Sequence, residues 1–188
     1  MKHPVIFLVL IFSLFMGAPV SAGNLDDTDL SFSLPVPGSA DERAYLGLDD
    51  SQTFTLGQIK ADMVILQIFS MYCPICQREA PKVNAMYERV AADPEMSRRI
   101  RFAGIGAGNS AFEVDFYQKT YQVPFPLFSD GDFAIHKQLK EVGTPHFIGL
   151  TITPGTDQGY TVFFARSGEM GDPVAFLDRL LASSGLTF

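Results

Sequence analysis

The sequence is poor in residues that bind metals or build disulfide networks. It has no tryptophan, two cysteines and three histidines in 188 residues. A structural zinc site normally needs four Cys or His ligands. No second cysteine pair is present, and His136 and His146 stand isolated from each other. This pattern argues against a zinc site, and we expect no metal to be bound.

Basic residues are also scarce. Lys and Arg number 14 against 21 Asp and Glu, the formal net charge is −7, and no run of basic residues occurs. Nucleic acid binding requires a basic surface that neutralises phosphates, so we expect no nucleic acid partner. A hydrophobic content of 47% with 19% charged residues indicates a globular domain with a sizeable core rather than a disordered chain.

One apolar run lies near the N-terminus, and it is short. Residues 5–16 are almost entirely apolar, follow Lys2, and precede the small residues Val20-Ser21-Ala22. About 20 apolar residues are needed to span a bilayer, so a cleaved signal peptide is favoured over the alternative of an uncleaved membrane anchor. We predict a signal peptide at residues 1–22, a single domain at 23–188, and a periplasmic or otherwise extracytoplasmic protein without stable membrane insertion.

The two cysteines form the motif Cys73-Pro74-Ile75-Cys76. An apolar run at residues 63–69 leads into it, and apolar residues at helical spacing follow it. This order predicts a strand, a turn and a helix, with Cys73 at the helix N-terminus. There, free backbone N–H groups and the helix dipole favour a thiolate. Pro74 suits the first helical turn because its fixed φ is already helical.

The motif fits either a reactive dithiol or a purely structural disulfide. Cys76 lies one helical turn after Cys73, within reach of a disulfide, so the pair can be a reactive dithiol. A purely structural disulfide is the alternative, but it would close a very short loop, for which the entropic stabilisation is smallest. We favour the reactive dithiol.

Periodicity over the rest of the chain predicts an α/β domain without repeats. Residues 30–36 read as an extended edge segment, and residues 45–48 and 53–56 as a β-hairpin. The further strands are expected at 63–69, 100–105, 125–128, 146–152 and 160–165. The helices are expected at 76–90, 111–121, 133–139 and 173–181.

Three features together resemble a known family. They are the apolar strand followed by an aromatic residue, Tyr72, just before the CxxC, the triplet Gly143-Thr144-Pro145, and the segment VPFPLFSD at residues 123–130. In this order they resemble the thioredoxin-fold redoxins of the TlpA/ResA type, which are extracytoplasmic thiol-disulfide oxidoreductases. The resemblance implies a thioredoxin-like α/β fold with an N-terminal β-hairpin extension and a central redoxin-type insertion.

The resemblance also implies roles for individual residues. Cys73 would be the attacking thiol and Cys76 the resolving thiol, and Pro145 would be a cis proline packed across the pair. The implied partners are protein thiols or disulfides and an upstream redox protein, with no cofactor. The groove that receives the substrate would be lined by Tyr72, Pro74, Ile75, Thr144 and Pro145.

Two positions near the motif qualify the resemblance. Gln67 lies six residues before Cys73, where thioredoxins carry a buried acid that manages the proton of the second cysteine. TlpA/ResA-like proteins often have an amide there as well, but an amide cannot accept that proton, so the sequence identifies no proton acceptor for Cys76. His146 follows Pro145, but strand alternation directs its side chain away from the Thr144 side, and we expect a structural or solvated histidine.

The residues between the cysteines bear on the direction of electron flow. Pro74 and Ile75 place no cation beside the thiolate, and Arg78 is expected to face solvent on the helix beyond Cys76. The helix terminus therefore stabilises the thiolate mostly alone. We expect a reductant with a potential nearer the roughly −270 mV of thioredoxin than the roughly −120 mV of the strongest oxidants.

Two other functions agree with parts of the sequence. Residues 124–130 also resemble peroxiredoxins, but the Pro and Thr that precede the peroxidatic cysteine of that family fall on Leu66 and Ser70 here. A copper-delivery protein could use the two thiols and a histidine, but copper-delivery proteins of this fold use a longer cysteine spacing. Both functions rank below the thiol-disulfide oxidoreductase.

Overall fold

A computed structural model describes residues 30–188, so the expected signal peptide at 1–22 lies outside the described residues. The strands of the described part are β1 Leu34–Pro35, β2 Thr53–Phe54, β3 Met63–Phe69, β4 Ile100–Ala107, β5 Leu127–Asp130, β6 His146–Ile152 and β7 Tyr160–Ser167. The helices are α1 Ala40–Leu46, α2 Pro74–Ala92, α3 Pro94–Arg99, α4 Ala111–Tyr121, α5 Ala134–Gln138 and α6 Pro173–Ser183, with a 3₁₀ turn at Leu56–Gln58.

A five-stranded mixed sheet forms the centre of the domain, in the order β5-β4-β3-β6-β7. The central strand β3 pairs parallel with β4 and antiparallel with β6. Every residue of β3 is buried, as expected for a strand covered on both faces. The carboxyl end of β3 delivers the chain directly from Phe69 into the loop that carries the cysteines.

Two apolar layers cover the sheet. Successive residues of β3 alternate between them, with Ile65 and Phe69 on one side and Leu66 and Ile68 on the other. The first layer includes buried residues of α2, α4 and α6, namely Ala80, Val83, Met86, Val114, Tyr117, Phe176, Leu177 and Leu180. The second includes residues of the N-terminal segment, namely Leu30, Leu34, Leu46, Phe54 and Leu56.

The N-terminal extension differs in detail from the expectation. It contains an antiparallel pair, but its strands are β1 and β2, with Leu34 opposite Phe54. The segment 45–48, expected as a strand, instead contains the end of α1. Ser39 caps this helix by accepting from the backbone N–H of Glu42, and Gly47 ends it at φ +65°. The stretch is too short for its periodicity to distinguish a strand from a helix, and the two caps favour the helix.

The central insertion is present as α4, β5 and α5, which lie between β4 and β6 in the chain. Its strand begins at Leu127 rather than at Phe125. Proline has no backbone N–H to donate, so Pro124 and Pro126 cannot continue a ladder. Pro126 contributes only its carbonyl, which accepts from Gly104 N at 3.0 Å. In residues 30–188, no helix is long and apolar enough to cross a membrane.

Candidate dithiol site

Cys73 occupies the N-cap of α2, as the sequence predicted. Its backbone is extended, with φ −84° and ψ 113°, and Pro74 takes the first helical position. A turn closed by Cys73 N and Ser70 O at 3.1 Å brings the chain from β3 into the helix. The Cys73 Sγ atom accepts from the backbone N–H of Cys76 at 3.4 Å, so the helix terminus stabilises a negative charge on this sulfur.

The environment of Cys73 favours its thiolate. Partial burial opposes ionisation, but hydrogen bonds from the Thr144 side chain and from the backbone N–H groups of Cys76 and Ile75 outweigh burial, and the pKa of Cys73 lies below its ordinary value. When protonated, the thiol donates to the carbonyl oxygen of Thr144, 3.3 Å away. Cys73 is half-buried, so its sulfur is also open to a reactant.

Cys76 has the opposite character. It is fully buried in the layer formed by α2, α4 and α6, and this burial raises the pKa of its thiol to about 12. Its backbone carbonyl accepts from the hydroxyl of Tyr117 at 3.0 Å. Both cysteines are free thiols in this structure. One thiol is thus accessible and acidified, and its neighbour is buried and protonated.

The Thr144-Pro145 segment immediately precedes β6 and lies beside Cys73. The peptide bond between the two residues is cis, as the resemblance implied. Pro145 is buried and Thr144 half-buried. The carbonyl of Thr144 contacts Cys73 across 71 positions of sequence, so two of the expected site segments come together.

The other residues expected in the groove surround Cys73 in the chain. Tyr72 is 65% exposed, Pro74 is exposed and Ile75 is half-buried. The hydroxyl of Tyr72 donates to Glu113 near the start of α4, and this hydrogen bond raises the pKa of Tyr72. The contact with a substrate expected of these residues stays a prediction.

Gln67 and His146 are both buried. The Nε2 atom of Gln67 has no hydrogen-bond partner among the described residues. His146 lies with Nδ1 2.7 Å from the hydroxyl of Ser167, and burial lowers its pKa to about 4. A neutral histidine bonded to the neighbouring strand is consistent with the structural role expected for it.

Charged side chains on α2 complete the surroundings of the motif. Arg78 is exposed and forms an ion pair with Glu169 at 3.0 Å, so it faces solvent as expected. Glu79, in contrast, is only 1% exposed. Its carboxylate accepts from Met170 N at 2.8 Å and from Lys82 Nζ at 2.7 Å, which ties α2 to the segment that precedes α6.

Two buried polar residues near the site, Glu79 and Asn109, could not be identified in advance as part of it. Glu79 follows Cys76 by three positions and precedes Val83 by four, so its helical spacing was the signal that it shares their buried face. Asn109 is fully buried, and its Oδ1 accepts from Met71 N at 2.9 Å. No local pattern marks Asn109, because its partner lies 38 positions earlier in the chain.

A metal would need a different arrangement of ligands. Within residues 30–188, no group of three or more His, Cys, Asp or Glu side chains is placed so that it could hold a metal ion. Chemically, the arrangement provides one acidified thiol, one buried thiol within a turn of it, and a backbone carbonyl beside the first sulfur. These groups are suited to thiol-disulfide exchange.

The sheet order and the dithiol at the end of β3 define a thioredoxin-fold protein with a CxxC. The AhpC/TSA family matches residues 31–162, and the chain belongs to that family. No curated protein matches the sequence.

Solved structures agree with this fold. A secreted Mycobacterium tuberculosis disulfide oxidoreductase homologous to E. coli DsbE has 17% identity and a TM-score of 0.56, covering 81% of this chain and 96% of that chain. DsbF of Mycobacterium tuberculosis has 21% identity and a TM-score of 0.57, covering 82% and 96%. A thioredoxin-like protein from Aeropyrum pernix has 15% identity and a TM-score of 0.56, covering 82% and 89%. The thioredoxin-like fold expected from the sequence is confirmed.

Proposed function

We propose that the protein is an extracytoplasmic thiol-disulfide oxidoreductase that reduces disulfides of protein substrates. The observation that carries this proposal is the difference between the two thiols of one CxxC. Cys73 is half-buried with a lowered pKa, and Cys76 is buried with a pKa of about 12. The AhpC/TSA family match and the thioredoxin-like neighbours support the general oxidoreductase class.

The proposed reaction has two exchanges. The Cys73 thiolate attacks one sulfur of a substrate disulfide, a Cys73–substrate disulfide forms, and the other substrate sulfur leaves as a thiolate. Cys76 then gives its proton to solvent and attacks the Cys73 sulfur, which forms the Cys73–Cys76 disulfide and expels the second substrate sulfur as a thiolate that takes a proton from solvent. The substrate gains two electrons, and the protein loses two. A partner protein with a reduced dithiol must restore the pair.

Substrate capture tests the assignment of the two thiols. In a Cys76→Ser variant the second exchange is blocked, so a mixed disulfide through Cys73 should accumulate on substrate proteins and disappear on addition of dithiothreitol. A Cys73→Ser variant is the matched control and should capture nothing. Mixed disulfides that form through Cys76 in the control would reverse the proposed roles.

The direction of electron flow is tested by the redox potential. Equilibration with glutathione buffers should give a value nearer about −270 mV than about −120 mV. The ion pair of Arg78 with Glu169 supports this expectation. Arg78 is the cation on α2 nearest to the motif in sequence, and the charge of Glu169 reduces its stabilisation of the Cys73 thiolate. A potential above about −150 mV would overturn the reductase assignment while leaving the thiol roles intact.

We also propose that residues 1–22 are a signal peptide and that 23–188 form one domain outside the cytoplasm. The short apolar run and the small residues Val20-Ser21-Ala22 support this. N-terminal sequencing of protein from the native host should find the chain beginning at Gly23. Active, membrane-bound protein that retains Met1 would contradict it.

A thiol peroxidase is the second candidate, because the match is to the AhpC/TSA family and does not by itself separate a peroxidase from a disulfide oxidoreductase. Against it, the expected proline ahead of a peroxidatic cysteine is replaced by Leu66, which is fully buried in β3. Peroxide consumption with a thiol-regenerating system should be negligible. Turnover that requires Cys73 and exceeds the rate of disulfide reduction would favour the peroxidase.

A further inference from the structure

The loop that presents Cys73 is held from both sides at Met71. The side chain of Gln77 donates to Met71 O at 2.7 Å, from the first turns of α2. The side chain of Asn109 accepts from Met71 N at 2.9 Å, from the loop between β4 and α4. Gln77 moves with the helix that carries the cysteines. Asn109 therefore attaches the backbone of this loop to a part of the fold outside α2.

Asn109 is well suited to act as a rigid anchor. It is fully buried, and its own backbone N–H donates to Gly106 O at 3.1 Å. Its side chain lies so close to Gly106 that a Cβ there would meet Asn109 Cβ and Oδ1 at 3.1 Å. A glycine at position 106 therefore leaves room for this side chain, whose Oδ1 accepts from Met71 N–H and whose Nδ2 has no hydrogen-bond partner among the described residues.

Tyr72, the residue after Met71, is held by the first turn of α4. Glu113 accepts from the hydroxyl of Tyr72. Glu113 is fixed in turn because its Oε2 accepts from Ser110 N at 2.7 Å and from Ser110 Oγ at 2.8 Å. Met71 and Tyr72, the two residues before Cys73, are thus both attached to the segment 109–113.

We propose that Asn109 is a positioning residue for the attacking thiol: by accepting from Met71 N–H it holds the loop so that Cys73 Sγ meets the N–H of Cys76. This inference rests on the proposed role of Cys73. The contact between Sγ and Cys76 N is 3.4 Å, and a displacement of the loop that lengthens this contact weakens it. Loss of the anchor should then make the thiolate less stable.

The test is the pH dependence of iodoacetamide alkylation at Cys73 in the reduced, full protein, with the site of modification resolved by mass spectrometry. Replacing Asn109→Ala should slow alkylation of Cys73 at pH 7 by about three- to tenfold, the effect expected from one hydrogen bond, and should move the pH midpoint upward. A purely structural role would lower stability without moving that midpoint.

Asn84→Ala is the matched control. Like Asn109, Asn84 joins two parts of the fold by side-chain hydrogen bonds to backbone atoms, although it donates where Asn109 accepts. Asn84 Nδ2, on α2, donates to the carbonyls of Tyr121 and Gln122 at the far end of α4 from the thiols. This variant should alkylate at Cys73 within about twofold of the wild-type rate, whatever stability it loses. An unchanged pH midpoint in Asn109→Ala, or an equal shift in both variants, would overturn the inference.

Failure of the proposed function and failure of the variant to fold can each be distinguished from failure of this inference. If wild-type Cys73 reacts no faster than Cys76, the proposed function fails before Asn109 is tested. If Asn109→Ala does not fold, amide hydrogen exchange at Met71 in the native protein decides. A Met71 N–H that exchanges as slowly as the amides of β3 supports the anchor, and exchange at the rate of an unprotected amide refutes it.

Discussion

The contrast between the two thiols predicts how fast each is alkylated at neutral pH. A thiol with a pKa of about 12, as for Cys76, is ionised in about one molecule in 10⁵ at pH 7. Cys73 has a pKa below the ordinary value of 9.0, so more than about one molecule in 100 is ionised. The thiolate populations therefore differ by at least about a thousandfold.

Intrinsic reactivity reduces this difference but does not remove it. The more basic thiolate is the better nucleophile, and a Brønsted coefficient of about 0.4–0.5 over three pKa units recovers a factor of about 20 to 30 for Cys76. Alkylation of Cys73 should therefore be at least about 30-fold faster. Complete burial of Cys76 acts in the same direction, because iodoacetamide must reach the sulfur.

The assay compares two single-thiol variants. Cys76→Ser retains only Cys73, and Cys73→Ser retains only Cys76, so each rate with iodoacetamide at pH 7 belongs to one sulfur. The ratio should collapse towards one in guanidinium chloride, where both thiols are exposed. Equal native rates, or faster reaction of Cys73→Ser, would refute both the assigned pKa order and the proposed catalytic roles.

Three further predictions concern stability and ionisation. The unfolded chain takes up a proton at His146 near pH 6.5 and the folded chain only near 4, so stability should fall by at most about 2 kcal/mol from pH 7 to 5. In urea unfolding, the free energy of unfolding of His146→Gln should fall less between pH 7 and pH 5 than that of the wild type, and an equal fall would contradict this. Glu79→Ala should lower the unfolding free energy by about 2–3 kcal/mol, because Met170 N–H loses its buried acceptor, and Glu79→Gln by about half of that. Equal losses would contradict the contact. Glu113→Ala should bring the raised pKa of Tyr72 down towards 10 in ultraviolet titration, and an unchanged value would exclude the hydrogen bond.

The strand, turn and helix around the cysteines could be predicted because their causes are local. An apolar run, a proline at the first helical position and helical spacing of apolar residues all lie within about thirty positions. The N-terminal extension could not be placed as well. Residues 45–48 are too few for periodicity to separate a strand from a helix, and the caps Ser39 and Gly47 decide the outcome.

The supporting residues of the site were harder to predict than the thiols. The cis bond before Pro145 followed from resemblance to a family, since an isolated Thr-Pro pair gives no such indication. Asn109 and Glu79 were missed because their importance arises from backbone partners far away in the chain, Met71 and Met170. A polar residue among apolar ones shows its role only when the fold supplies its partner.

The dithiol acquires its character late in the life of each molecule. Cys73 precedes its contact Thr144 by 71 residues, and the layer that buries Cys76 includes Phe176 and Leu177 near the end of the chain. During synthesis, before these segments have joined the domain, the two cysteines are ordinary thiols of similar reactivity. An incomplete chain therefore lacks a preferred attacking sulfur, and it should cross-link less readily to other nascent proteins than the finished molecule does.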